Sequence, residues 1–198
     1  MSSRFFVALL AVLAMPVWAQ GPSFSYAEAG LALYPNFESE PLLGAQVRGS
    51  QALNTQWFMF GGLKALTGDI DVTALHGGGG YRYSVDHRTD VWGGLTLEYQ
   101  DIEVDRCQSV MRPGGNFVRS CASVSSDDTA PGLRGGIRRQ LHRDLEIGAS
   151  ARYITGDLDY LGFTGTARYR WQPNVSVLAE ADYYDGNFGV IGGLSLRF

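Results

Sequence analysis

Side chains able to do chemistry are few in this chain of 198 residues, and they are scattered along it. The histidines are His76, His87 and His142, and the cysteines are Cys107 and Cys121. A hydrolase would need a base within hydrogen-bond reach of its target. Acids at Asp69, Asp71, Asp101, Asp157, Asp159 and Asp185 could serve beside a histidine, but none of the three histidines falls near them when the chain is read as strands. No Gly-x-Ser-x-Gly elbow and no His-Glu-x-x-His pair occurs. The run Gly77–Gly80 could cradle phosphate only if a helix came after it to present its N-terminus. The next residues are Tyr81-Arg82-Tyr83, which continue a strand. The pairs Asp69/Asp71 and Asp157/Asp159 lack the spacing of a calcium loop. The sequence therefore points to a non-enzymatic protein, with no cofactor and no metal expected.

Cys107 and Cys121 share one polar segment, "RCQSVMRPGGNFVRSC". In an exported chain such a pair reads as a disulfide closing a loop. Metal binding is the weaker reading, because no histidine lies between or beside them. Arg106, Arg112 and Arg119 sit in the same segment with no acid between the cysteines. Arginine forks suit phosphate and carboxylate, so lipopolysaccharide or another anionic partner could be met there. The competing reading is a solvated loop stapled against proteolysis.

The elements that would position these groups are strands. From residue 20 onward no helical period is sustained, and alternating segments recur between turn residues. Ten strands are expected, at 23–34, 42–53, 56–66, 72–84, 90–103, 131–141, 145–155, 161–171, 174–183 and 187–198, with eight as the alternative count. Each is about the 9–11 residues that cross a bilayer at a tilt. Short turns at Asn54-Thr55, Val85–Thr89, His142–Asp144 and Gln172–Asn174 alternate with longer connections at Pro35–Pro41, Thr67–Asp71, Val104–Ala130, Gly156–Tyr160 and Tyr184–Gly186. Such an alternation fits the periplasmic and extracellular rims of an antiparallel up-and-down transmembrane β-barrel.

Alternation also sorts the two faces. Trp57, Tyr81, Tyr83, Tyr169, Trp171 and Phe198 fall on the apolar face near the short-turn ends, as an interfacial aromatic girdle would. The opposite face collects Glu28, Arg48, Lys64, His76, Arg82, Glu98, Arg134, Arg138, Glu146, Arg152, Arg168, Arg170, Glu180, Asp182 and Arg197. Charges of both signs can pair across a lumen, and a barrel of this strand number lies near the size that side chains fill. A structural charge network is the expectation. A narrow, weakly anion-preferring pore and a proton-sensitive gate at His76 are the alternatives. A soluble secreted ligand-binding barrel would reverse the faces.

The ends of the chain set the compartment. Residues 1–19 carry Arg4, an apolar run from Phe5 to Met15, and Val17 and Ala19 at the −3 and −1 places of a signal-peptidase site. The barrel domain is then 20–198, exported through the periplasm. The last strand, "GVIGGLSLRF", must close against the first, since an open edge cannot stay unpaired in lipid. A final aromatic residue after alternating apolar positions is also similar to the C-terminal signal that the bacterial barrel-assembly machinery reads. A formal charge of −4 argues against nucleic-acid binding, which rests on Lys and Arg.

The segments "LHGGGGYRYSVDHRTDVWGGLTLEYQDIEV", "GLRGGIRRQLHRDLEIGASARYI" and "GTARYRWQPNVSVLAEADYYDGN" resemble the hairpins of a small proteobacterial outer-membrane β-barrel family. That family includes proteins first described as exported activators of plant immunity. The shared pattern is a Gly-Tyr-Arg strand end, a polar turn with Arg-Thr-Asp and an aromatic-rich strand after it. The resemblance covers nearly all of the chain beyond the signal and implies the barrel fold. It brings no catalytic residue with it. It is compatible with a structural or surface role through the loops, among outer-membrane lipids, with any extracellular partner left open.

Overall fold

The structure is a computed structural model. It describes residues 21–37, 40–68, 70–111, 117–157, 159–184 and 186–198, with side chains at all of these except 40, 105–111 and 117–123. The expected signal segment lies outside the described residues.

Ten strands form one closed sheet: β1 (Tyr26–Phe37), β2 (Glu40–Ala52), β3 (Trp57–Thr67), β4 (Ile70–Asp86), β5 (Thr89–Met111), β6 (Phe117–His142), β7 (Leu145–Ile154), β8 (Tyr160–Gln172), β9 (Val175–Tyr184) and β10 (Asn187–Arg197). Each pairs antiparallel with its chain neighbours, and β10 closes the barrel on β1 from Tyr26↔Arg197 to Leu33↔Val190. The cause is the period of two. In β9, Val177, Ala179, Ala181 and Tyr183 face out while Ser176, Leu178, Glu180, Asp182 and Tyr184 are buried. Outward apolar residues on other strands are freely exposed, Leu31 by 70%, Leu95 by 69% and Trp171 by 68%. Such a surface needs lipid, and the arrangement is the reverse of a soluble ligand-binding barrel, which keeps its apolar face inside.

Three differences from the sequence expectation exceed two residues. β1 begins at Tyr26 rather than residue 23, because Gly21–Ser25 turn inward under the barrel. The expected loop Pro35–Pro41 is mostly strand, with a register shift between Tyr34 and Phe37 where Pro35 withholds a ladder N–H. The expected long loop Val104–Ala130 is a continuation of the β5–β6 ladder, paired from Val104↔Val124 out to Met111↔Phe117. Its polarity resembles a loop. Valines at 104, 110, 118 and 124 nevertheless recur at even spacing, and glycine and proline are confined to 113–115.

Candidate functional site

The inward positions of the ten strands build a lumen in three layers. At the long-loop end, Phe37, Leu42, Leu66, Val72, Ala130, Ile154, Tyr160 and Tyr184 pack into one apolar cluster, with Ile70 and Ile102 against it. Side chains of this kind offer water no favourable surface.

Beneath it lies a layer of ions. Asp182 accepts from Tyr34 Oη (2.5 Å), Lys64 Nζ (2.8 Å), Arg152 Nη1 and Nη2 (2.9 and 3.1 Å) and Thr164 Oγ1 (2.8 Å). Glu98 accepts from Arg134 Nε (2.9 Å) and Nη2 (2.5 Å), and from Tyr160 Oη (2.8 Å). Tyr184 Oη in turn accepts from Gln100. Glu28 takes Arg48 Nε and Arg168 Nε, both at 2.6 Å, while Arg48 also reaches Glu180. Glu146 takes Arg138 Nη2 at 2.6 Å and Arg168 Nη1 and Arg197 Nη2, both at 3.1 Å. Every one of these acids is at least nine-tenths buried, and each has two or more donors, which is what burial of a carboxylate demands.

Space for so many long side chains comes from glycine on facing strands. A Cβ at Gly189 would stand 2.5 Å from the Tyr34 ring, and one at Gly162 would stand 2.7 Å from Arg152 Nε.

The third layer fills the short-turn end. Pro22 and Phe24 are buried inside the mouth. The Phe24 ring lies 4.6 Å from Phe58, with Arg82 and Arg138 guanidiniums 4.9 and 4.7 Å from its centroid. Arg82 Nη1 donates to the Pro22 carbonyl (3.5 Å) and lies 3.8 Å from Asp90, which also accepts Ser84 Oγ (2.6 Å). Between this layer and the apolar cluster remains a cavity of about 130 Å³, walled by Phe60, His76 and Trp92 on one side and Ser150, Thr166 and Arg168 on the other.

Of the residues read from sequence as lumen charges, most meet in these ion pairs. His76 makes none; its ring faces Phe60 at 6.4 Å. Arg170 has no acidic partner among the described residues. The girdle aromatics Trp57, Tyr81, Tyr83, Tyr169 and Trp171 are exposed on the outside, with Trp57 edge-on to Tyr81 at 5.2 Å, and Phe198 is half-buried beside β1, its N–H on the Ser25 carbonyl (3.4 Å). The register sets Cys107 directly opposite Cys121. Their side chains, those of Arg106 and Arg119, and all of Arg112, lie outside what the structure describes.

The candidate acids and histidines are separated. Asp71 and Asp101 face outward near the long-loop end, opposite Glu103 and Asp127 in register, and Asp157 and Asp159 are exposed there. His87 and His142 lie at the short turns. Asp69 and Asp185 lie outside the described residues. Among the described residues no three His, Cys, Asp or Glu side chains converge on a metal-sized space.

Sequence reasoning missed the apolar cap, Phe24, and the neutral members Tyr34, Gln46, Gln100 and Thr164. A signal for the cap exists: alternation fails at Leu42-Leu43, Ala65-Leu66 and Tyr153-Ile154, where both faces turn apolar at the long-loop ends.

No protein-family model and no curated protein matches the sequence. Solved structures similar to the chain include the KdgM porin, at TM-score 0.48 and 13% identity over 87% of this chain and 99% of that one. Ail, the attachment invasion locus protein of Yersinia pestis, scores 0.45 at 13% identity over 87% and 95%. Neisserial surface protein A scores 0.43 at 12% identity over 89% and 98%.

Proposed function

We propose that the chain is a non-enzymatic β-barrel of a bacterial outer membrane that acts through its outer surface and loops, with its lumen closed. One observation carries this reading. The lumen is narrowed at one end by an apolar cluster and at the other by Phe24 with its two arginines, with paired ions between. Ions cross a membrane only along a hydrated path, and apolar side chains at both ends of the lumen disfavour one. The separation of His87 and His142 from the loop-end acids supports the non-enzymatic part of the reading. The aromatic girdle, the closing C-terminal strand and the signal-like leader agree with export, assembly by the barrel machinery and residence among outer-membrane lipids. Lipopolysaccharide is the first partner to consider at the loops.

The test is planar-bilayer recording of the purified chain. The expected result is conductance no greater than that of protein-free bilayer. Discrete ohmic steps whose ion selectivity shifts in Arg138→Glu or Arg168→Glu would instead establish the narrow, anion-preferring pore. Recovery of the protein from the outer-membrane fraction, with a gel band whose mobility changes on heating, is expected alongside.

A further inference from the structure

At the short-turn end, donors without partners lie side by side. Ser176 and Ser195 are each 1% exposed, and their Oγ atoms have no hydrogen-bond partner. The buried Nε of Arg170 and Nη1 of Arg138 have none either. Arg170 stands opposite Ser176 in the β8–β9 register, and Ser176 stands opposite Ser195 in the β9–β10 register. The three side chains thus form one inward row across adjacent strands, with neighbours in register about 5 Å apart at Cα, and Glu28, held by Arg48 and Arg168, continues the row opposite Ser195. Arg197 comes two residues after Ser195, inside the field of Arg138, Arg168 and Arg170.

The charge here is unbalanced. Glu146 is shared by Arg138, Arg168 and Arg197, and Glu28 by Arg168 and Arg48. Arg170 pairs with neither. Buried polar atoms in folded proteins find a protein, water or ion partner. Water could satisfy the hydroxyls but would leave the surplus guanidinium charge in place. An oxyanion satisfies both, because its lone pairs accept from hydroxyls and guanidinium N–H together. The row ends beside the Gln172–Val175 turn, where the Arg197 N–H donates to the Asn174 carbonyl (2.8 Å).

We propose that Arg170, Ser176, Ser195 and Arg197 form a binding site for a phosphate group at the short-turn mouth, presented as the free ion or on a lipid headgroup. The site does not depend on whether the barrel conducts.

The experiment titrates inorganic phosphate into the detergent-purified chain by calorimetry and, in parallel, counts phospholipid retained through purification by phosphorus analysis. Arg170→Gln is expected to weaken phosphate binding at least tenfold and Arg170→Lys to restore part of it. The Ser176→Ala/Ser195→Ala variant is expected to weaken it severalfold, with the heat-shifted gel band reporting that each variant is folded. Saturable phosphate binding lost in Arg170→Gln identifies the free ion as ligand. No titratable phosphate, but stoichiometric phospholipid that Arg170→Gln fails to retain, identifies the headgroup. No binding of either, or binding unchanged in these variants, overturns the proposal and leaves the row to water. If Arg170→Gln does not fold, unchanged binding in the double serine variant alone overturns it.

Discussion

Asp182→Asn tests whether the ion layer holds the barrel together. Asp182 is 1% exposed and is the anion for both Lys64 and Arg152, while also accepting from Tyr34 and Thr164. Asparagine keeps the shape but removes the charge and turns one acceptor oxygen into an NH2 that faces donors. Breaking a buried pair from one side costs about 3–5 kcal/mol, because the opposite charge stays buried without a partner. The Lys64 and Arg152 side chains retain 17% and 11% exposure, which admits some relief and favours the lower end, about 3 kcal/mol. For a domain of this size each kcal/mol moves the melting midpoint by ~2–4 °C, so a drop of ~6–12 °C is expected. The assay is the temperature at which the compact gel band converts to the unfolded one, checked by a guanidinium midpoint. Replacing all three groups, as Asp182→Leu with Lys64→Met and Arg152→Met, removes the stranded charges and should recover stability to within about 1 kcal/mol of native. A single variant that melts within about 2 °C of the native chain, or a triple variant no better than the single, would refute the reasoning.

Gly189→Ala should destabilise by about 1–3 kcal/mol, since its Cβ meets a Tyr34 ring pinned by Asp182 and Lys64. Gly77→Ala, whose Cβ meets nothing within 4 Å, is the control and should stay within ~0.5 kcal/mol. Phe24→Ala should release the inward segment while leaving the barrel folded, because ends unfold locally; limited proteolysis is expected to trim the variant near residues 21–25 and spare the native chain. Cys107 and Cys121, opposite each other in register, should resist alkylation until reductant is added, as mass spectrometry would show; thiols that label without reductant would exclude the bridge.

The ten strands and their two faces were legible because a period of two sorts side chains by face whatever the partner strand is. Inward ions could be named one by one for the same reason, Glu28, Arg48 and Asp182 among them. Which ion meets which was not legible. Glu28 meets Arg168 across the lumen, 140 residues away, and that meeting depends on barrel diameter and stagger, which alternation does not encode. The β5–β6 extension escaped notice because polar residues dominate this part of the strand pair, so composition changes there while backbone pairing does not. Phe24 escaped because an aromatic residue just ahead of a strand reads as part of it. Only the barrel's inner radius shows that the segment turns under the mouth.

Ions fill the middle of this lumen although apolar residues fill its long-loop end, and apolar filling would stabilise at least as well. The difference lies in what each kind of contact specifies. Glu28 faces Arg48 across the β1–β2 register, and Glu146 faces Arg168 across β7–β8. A slip of one residue would turn every inward side chain of a strand outward. For an apolar layer that slip costs little in lipid. For these strands it would expose Glu28 on β1, Arg152 on β7, Arg168 on β8 or Asp182 on β9 to hydrocarbon, at about 2–4 kcal/mol for each cation at the midplane. Pairs also cross the lumen, from β1 to β8, β2 to β9 and β3 to β9, and these form only when all ten strands have closed at one stagger. The ion layer therefore acts as a register lock, and it selects a single closed barrel where lipid-facing alternation alone would accept several.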